Sequence, residues 1–552
     1  MTTGWWSDCD ESVAHLQIGY ICTDKDFRSM TTHRPIKYPI GIQTFEKLRD
    51  SGYVYVDKTA LVYRLVTEGD VYFLSRPRRF GKSLLLSTIE AYFAGRKDLF
   101  EGLAIEQLEK EWNEYPIFYI DFNGKNFTEP DTLNNCISDF LNEAEAEYGI
   151  TKKKSDNGER FIEIIKKANE KYGRKAVVLV DEYDKPLLDV MSTPIEAKNR
   201  EILKGFYSTF KAADRYLQFV MLTGVTKFSQ ISVFSGFNQP KDISMDARFE
   251  TICGITEDEL NSYFTEPMQE MAALMNITLE EVKQEIKRMY DGYHFSEAMT
   301  DIYNPYSLLS ALDKRRIEEF WFRTGTPTYL IKLMRHFNED INEIISRQYN
   351  ASQFVDYRAD EQRPLPMIYQ SGYLTIKSYS SISKSYRLDF PNNEVKQGFV
   401  TMIANDYLKP KGDSASWIIE IVEALAVADL DRFHKLLTGF FASIPYSQRR
   451  RSTEPEQERD FQYTFYLLLR MISCYFVFVE KETSEGRADC VIEAQNYVYI
   501  FEFKRDGTAA EAIKQINDKG YANEYAGDNR KLFKIGCNFS TVSGTVDDWM
   551  VE

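Results

Sequence analysis

Between residues 71 and 255 the chain alternates short, uninterrupted apolar runs with longer stretches of helical periodicity. The runs are VYFLS (71–75), YPIFYIDF (115–122), AVVLVDEYD (176–184) and LQFVMLTGV (217–225), with FETICGI (249–255) as a fifth. A strand that is apolar at nearly every position must bury both faces, which a parallel sheet flanked by helices provides. The pattern predicts an α/β domain over about residues 53–256.

The segment RPRRFGKS (76–83) joins the first run to a helical stretch at 83–93. A loop between a strand and a helix aims backbone N–H groups and the helix dipole at one point, which suits phosphate. Lys82 would reach the β- and γ-phosphates of a nucleotide, and the Ser83 hydroxyl would hold Mg2+. The usual phosphate-loop pattern has glycine five positions before Gly81, and here that position is Arg76. Gly-Lys-Ser alone can stand at any helix start. The third run, however, ends in Asp181-Glu182, the pattern of an acidic strand end that holds Mg2+ through Asp181 and orients an attacking water through Glu182. The nucleotide-binding set is therefore Arg79, Phe80, Gly81, Lys82, Ser83, Leu84, Asp181 and Thr223, with Glu182 catalytic. Thr223, Thr226 and Lys227 follow the fourth run, where a γ-phosphate sensor would lie. Arg78, Arg79 and Arg248 are candidates to neutralise transition-state charge.

Beyond 257 the pattern turns helical, and Thr256 with Glu259 forms a capping box. Two alternating runs, YLTIKSYS (373–380) and SYRLDFPN (385–392), flank a polar turn and predict a hairpin of winged-helix type. Residues 415–445 are helical again, and the polar SQRRRSTEPEQE (447–458) marks a boundary. The remainder reads as helix 458–472, strands 474–480, 488–494 and 497–504, helix 508–520 and strand 532–537.

In that last part, Glu502 and Lys504 lie two apart on one strand and so share a face. Asp489, on the preceding strand, can join them across a hairpin. Two carboxylates and a lysine can bind Mg2+ and activate water against a phosphodiester. A surface ladder of ion pairs would also explain such a pattern.

RPRRFGKS, VVLVDEYDKP, SVFSGFNQPKDIS (232–244), CGITEDEL (253–260), YDGYHF (290–295) and NPYSLL (304–309) closely resemble a family of AAA-ATPase-like proteins widespread in bacteria. The resemblance covers about 38–310 and implies an ATP-binding P-loop fold in which an arginine commonly replaces the first glycine. Residues 455–540 resemble the PD-(D/E)xK nuclease superfamily module often fused behind that family. This implies metal and catalytic positions at Glu458, Asp489, Glu502 and Lys504, with Gln515 in support. Relatives often carry Tyr-His three and four residues after the helix glutamate, whereas Phe461-Gln462 stands there in this chain.

Composition sets the remaining expectations. A formal charge of −16 over 552 residues opposes surface-wide nucleic-acid binding, leaving local patches such as Arg449–Arg451. Seven scattered cysteines without a CxxC pair indicate neither a disulfide framework nor a zinc ribbon. Five isolated histidines argue against zinc catalysis, and His294 reads as a packed, hydrogen-bonded residue. With no apolar stretch of roughly 18 residues and no signal-peptide order, the expectation is a cytoplasmic protein with no membrane segment. Met30 repeats the opening MTT and is an alternative start.

The expected layout is a tail (1–35), an AAA-like P-loop domain (36–256), a helical lid and winged-helix-like region (257–446) and a nuclease-like domain (447–552). The expected function is an ATPase using ATP and Mg2+, coupled to a nuclease acting on DNA or RNA. A homo-oligomer is compatible, since arginine fingers often come from a neighbour. The rivals are a signalling NTPase whose C-terminal domain only binds, and a P-loop kinase for a small molecule.

Overall fold

Four of the five apolar runs become strands of one parallel sheet. The computed structural model describes residues 36–151, 154–191, 193–228, 240–321, 344–345, 347–357, 364–399, 414–443, 477–479, 482–483, 486–487, 490–494, 496–540, 543 and 545–552. Strands β1 (Val71–Ser75), β2 (Ile117–Asp121), β3 (Ala176–Asp181), β4 (Leu217–Gly224) and β5 (Lys241–Asp242) lie in the order β2-β3-β4-β1-β5. All the pairings are parallel. Every residue of β3 is buried, as a two-faced strand requires.

Alternate residues feed two cores. Phe73, Val178, Val180 and Leu222 pack with α2 (Thr132–Glu147), α3 (Asn157–Tyr172) and α4 (Pro194–Ala213) on one face. Leu74, Val177, Leu179 and Met221 pack on the other against α1 (Lys82–Phe93). Burying one such side chain is worth roughly 1.5–3 kcal/mol, so these alternating sets, more than any turn, stabilise the sheet.

The fifth apolar run is not a sheet strand. The edge position goes to Lys241–Asp242, while Phe249, Ile252 and Cys253 are buried as loop residues and only Ile255–Thr256 pairs, with Ile302–Tyr303. Its apolar content reflects burial against the α1 face rather than strand pairing.

The helical pattern after 257 yields α5 (Glu257–Met275), α6 (Leu279–Tyr290) and α7 (Pro305–Lys314). The Thr256–Glu259 capping box is present, Thr278 and Glu281 form a second, and Asn304 caps α7 ahead of a proline at its start. A short α8 (Pro364–Gln370) leads into the expected hairpin, β6 (Thr375–Ser380) with β7 (Ser385–Asp389). The α1 face of the parallel sheet shares its core with Tyr293, Phe295, Trp321, Ile368, Tyr373 and Leu388.

The C-terminal sheet runs β8 (Val477–Val479), β9 (Cys490–Glu493), β10 (Tyr497–Arg505), β11 (Lys531–Ser540) and β12 (Thr545–Val551). Only β10 and β11 are parallel, joined by α11 (Ala509–Asp518). The sequence pattern did not signal β12. Helices α9 (Ser414–Ala426) and α10 (Leu430–Ser443) pack on this sheet: Leu425, Phe433 and Leu437 share a core with Tyr499, Phe501 and Ile535. That core therefore draws on residues before the polar stretch at 447–458, which lies outside the described residues. So does the expected helix at 458–472. No helix among the described residues is long and apolar enough to cross a membrane.

Candidate functional site

At the carboxyl end of β1 the chain coils into the RPRRFGKS loop. Arg79 (φ 68°) and Gly81 (φ 92°) both take left-handed backbone, which tightens the loop ahead of α1. A Cβ at Gly81 would meet nothing within 4 Å, so glycine serves the backbone angle there and not packing. The first turn of α1, with Ser83 and Leu84, adds N–H groups that have no intrahelical acceptor and the positive end of the helix dipole. Phe80 fixes the loop from below, its ring centroid 4.8 Å from that of Tyr293 and 5.4 Å from that of Phe295. The buried Lys82 Nζ donates to the carbonyls of Arg76 (3.0 Å) and Pro77 (3.2 Å). Burial pulls its pKa down, opposed by the charges of Asp181, Glu182 and Asp184.

Arg76, at the position of the usual first glycine, faces inward. Its guanidinium donates to the carbonyls of Ser75 (2.9 Å), Ser244 (2.8 Å) and Glu250 (3.4 Å) and lies 4.0 Å from the Phe295 ring centroid. The residue is 1% exposed, so it ties the loop to the 244–250 segment. Arg78 and Arg79 are exposed, and Arg79 lies 5.2 Å from the Tyr306 ring centroid. Arg248 is paired with Asp246 and Glu68, and Lys227 with Asp242 and Asp356. Their sequence context did not reveal these ion pairs.

Asp181 ends β3 and Glu182 follows it. Asp181 is buried, and its Oδ1 accepts from Thr223 Oγ1 (2.6 Å) and from the Glu182 N–H (3.0 Å). The strand register puts Val180 beside Leu222, so Asp181 and Thr223 come next to each other at the sheet's carboxyl edge. Glu182 takes a left-handed angle (φ 49°). Burial raises its pKa, opposed by Lys82 and Arg78. The sequence reading passed over Asp184, which is 1% exposed and accepts from the N–H groups of Val225 (3.0 Å) and Thr226 (2.6 Å). Burial pushes its carboxyl up to about 7. The available signal was a third acid, Asp184, closing an apolar run that already ends in Asp181-Glu182.

Beside the loop lies a cavity of about 100 Å3 lined mainly by apolar groups, including Tyr55, Val56, Leu84, Ile252 and Pro305. His294 is buried, with Nδ1 2.7 Å from the Ile376 carbonyl and Nε2 2.7 Å from Asp301 Oδ1, a hydrogen-bonded structural residue as expected.

In the C-terminal sheet, Glu502 and Lys504 do share a face of β10. Glu502 is 2% exposed, and its Oε1 accepts from Lys504 Nζ (3.2 Å) and from Gln515 Nε2. Lys504 Nζ also donates to Gln515 Oε1 (2.6 Å), so one glutamine on α11 holds both. That approach depends on Gly536 of β11, where a Cβ would stand 2.2 Å from the Ala509 carbonyl oxygen. Tyr521 is buried with Ile513 and Ile516 and packs α11 down. Glu458 and Asp489, like Glu480, Arg449–Arg451 and Phe461-Gln462, lie outside the described residues. Among the described residues no three His, Cys, Asp or Glu side chains gather as a metal site.

Residues 39–234 match the family described as a predicted AAA-ATPase, and residues 456–549 match the PD-(D/E)XK nuclease superfamily. An uncharacterized protein in the vnfD 5′ region of Azotobacter chroococcum mcd 1 is 35% identical over 525 residues, covering 94% of this chain and 99% of that protein. The chain belongs to the AAA-ATPase-like family and carries a PD-(D/E)XK nuclease superfamily domain at its C-terminal end.

Proposed function

We propose that the chain binds and hydrolyses ATP at the loop before α1 and uses that cycle to control a metal-dependent nuclease in its C-terminal domain. The observation that carries this is a buried lysine and a carboxylate pair at the carboxyl end of the parallel sheet: Lys82 is buried at the start of α1, Asp181 ends β3, and Glu182 follows it. A buried ammonium with left-handed loop backbone and free helix N–H groups matches a polyphosphate in charge and in donors. The apolar cavity beside Leu84 suits a nucleobase, which favours ATP over inorganic polyphosphate.

In this reading Ser83 and Asp181 hold Mg2+, which when bound neutralises charge on the phosphate oxygens. Lys82 binds the phosphates, and Thr223 orients Asp181 through the 2.6 Å hydrogen bond. Glu182, its carboxyl raised by burial, accepts a hydrogen bond from water and aligns it. Arg79, Phe80, Gly81 and Leu84 complete the cradle.

For the second site we propose that Glu502, with Asp489 and Glu458, holds a divalent metal and that Lys504 orients the attacking water. Gln515 keeps the lysine and the carboxylate together. The substrate is DNA or RNA. The proposed layout keeps the ATPase at 36–256, the lid and hairpin region beyond it and the nuclease towards the end of a cytoplasmic chain.

The test uses full-length protein. Lys82→Ala should abolish ATP binding, and Glu502→Ala or Lys504→Ala should abolish Mg2+- or Mn2+-dependent cutting of DNA or RNA while leaving ATP binding intact. Wild-type protein that binds no ATP refutes the first half. Wild-type protein that hydrolyses ATP but cuts no nucleic acid makes the C-terminal domain a binding module in a signalling NTPase.

A further inference from the structure

The end of β4 and the residues that follow it are bonded both to the start of the loop before α1 and to the residues that follow β3. Tyr183 N–H donates to the Thr223 carbonyl (3.0 Å), and Arg76 N–H donates to the Gly224 carbonyl (3.2 Å). The Tyr183 hydroxyl donates to the Thr226 carbonyl (2.8 Å) and accepts from Phe228 N–H (3.1 Å). At the centre, Asp184 Oδ2 accepts from both Val225 N–H and Thr226 N–H. Gly224 permits this closeness, since a Cβ there would lie 2.5 Å from Asp184 Oδ1 and 2.7 Å from the Tyr183 ring.

These contacts tie Asp184 to the turn after β4. The oxygen facing the turn is engaged by two amides, and the residue is 1% exposed. Its effect on the site passes through the turn it holds. We propose that Asp184 is a positioning residue for nucleotide hydrolysis: it fixes the 223–226 turn so that Thr223 keeps Asp181 oriented at the end of β3. This rests on the reading of the loop before α1 as a hydrolytic ATP site, and it assigns the last acid of DEYD a duty separate from metal binding and water alignment.

The requirement is for an acceptor of the right shape, not for a charge. An asparagine can present its Oδ1 to the same two amides, whereas alanine leaves both unmet in the interior. The experiment measures steady-state ATP hydrolysis by full-length wild-type, Asp184→Asn and Asp184→Ala proteins, resolving kcat from KM. Misplacing a catalytic group by about an ångström costs on the order of 10²-fold, so Asp184→Ala should lower kcat by about that factor while KM for ATP moves less than about threefold. Asp184→Asn should recover most of the lost turnover. Should Asp184→Ala not fold, Gly224→Ala tests the same contact with the carboxylate intact and should show the same fall in kcat. Equal losses in Asp184→Asn and Asp184→Ala, or full turnover in Asp184→Ala or Gly224→Ala, overturn the proposal while leaving the ATPase reading standing. Wild-type protein that hydrolyses no nucleotide overturns both.

Discussion

Restoring the missing glycine of the phosphate loop should damage this protein. Arg76→Gly removes a guanidinium that makes two hydrogen bonds under 3 Å to carbonyls, a longer third and a 4.0 Å contact with the Phe295 ring. Hydrogen bonds from charged donors contribute roughly 1.5–3 kcal/mol each, and a desolvated cation–π contact contributes about 2 kcal/mol. Against these stands the desolvation of a fully buried charge, which pulls the arginine pKa down and is only partly offset by the charges of Asp242 and Glu250. The variant recovers that cost but leaves the Ser244 and Glu250 carbonyls unmet beside a cavity and adds backbone freedom at residue 76. The net loss should be about 3–5 kcal/mol, within the range for broken buried networks. Domains of 150–250 residues lose about 2–4 °C in Tm per kcal/mol, so calorimetry should show the ATPase transition falling by roughly 10 °C. Arg76→Lys, which keeps the charge but loses the planar fork, should fall between the two. An unchanged transition in Arg76→Gly, or tighter ATP binding from it, would refute the inward-facing role.

Three further outcomes follow from other sites. Glu394 is buried, accepts from the N–H groups of Phe320 (2.5 Å) and Trp321 (2.7 Å), and is raised by burial to about 7 from an ordinary value of 4.5. The folded chain therefore holds this proton more tightly than the unfolded one. The resulting stability, about 3 kcal/mol, is whole below about pH 4.5 and lost as pH rises through about 7. Glu394→Gln should flatten that part of the Tm-against-pH curve between pH 5 and 8, and parallel curves for the two proteins would contradict the assignment. Gly536→Ala should lift α11 off the sheet, cost about 1–3 kcal/mol and remove nucleic-acid cutting, with ATP binding retained as the control. Gln515→Ala should reduce cutting with little change in Tm, and a variant as active as wild type would deny the glutamine its supporting role.

The legible parts of this chain were those set by local pattern. Strands apolar at every position and capping boxes such as Thr256 with Glu259 announce themselves because burial and capping act over a few residues. The β6–β7 hairpin was legible for the same reason. Side-chain direction at a strand end is not local. Arg76 faces inward because Ser244 and Glu250 offer carbonyls from about 170 residues away, and nothing in RPRRFGKS encodes them. Lys227 is paired with Asp242 and Asp356, which VMLTGVTK does not name, and Asp184 stayed hidden because its partners, Val225 and Thr226, lie about 40 residues on, just past the next strand. FETICGI misled because burial as loop and burial as strand share one composition. In the C-terminal domain the period-2 argument placed Glu502 and Lys504 together, while Glu458 and Asp489 fall outside the described residues.

The α1 face of the parallel sheet is roofed by Tyr293, Phe295, Trp321, Ile368 and Tyr373, all from beyond the last nucleotide-binding motif. A gene fragment ending near 256 would encode a chain with part of that face uncovered and prone to aggregate. Shuffling of this AAA-ATPase-like domain into other proteins must therefore carry the roof with it, and viable crossover points fall after residue 399, the last of the cluster.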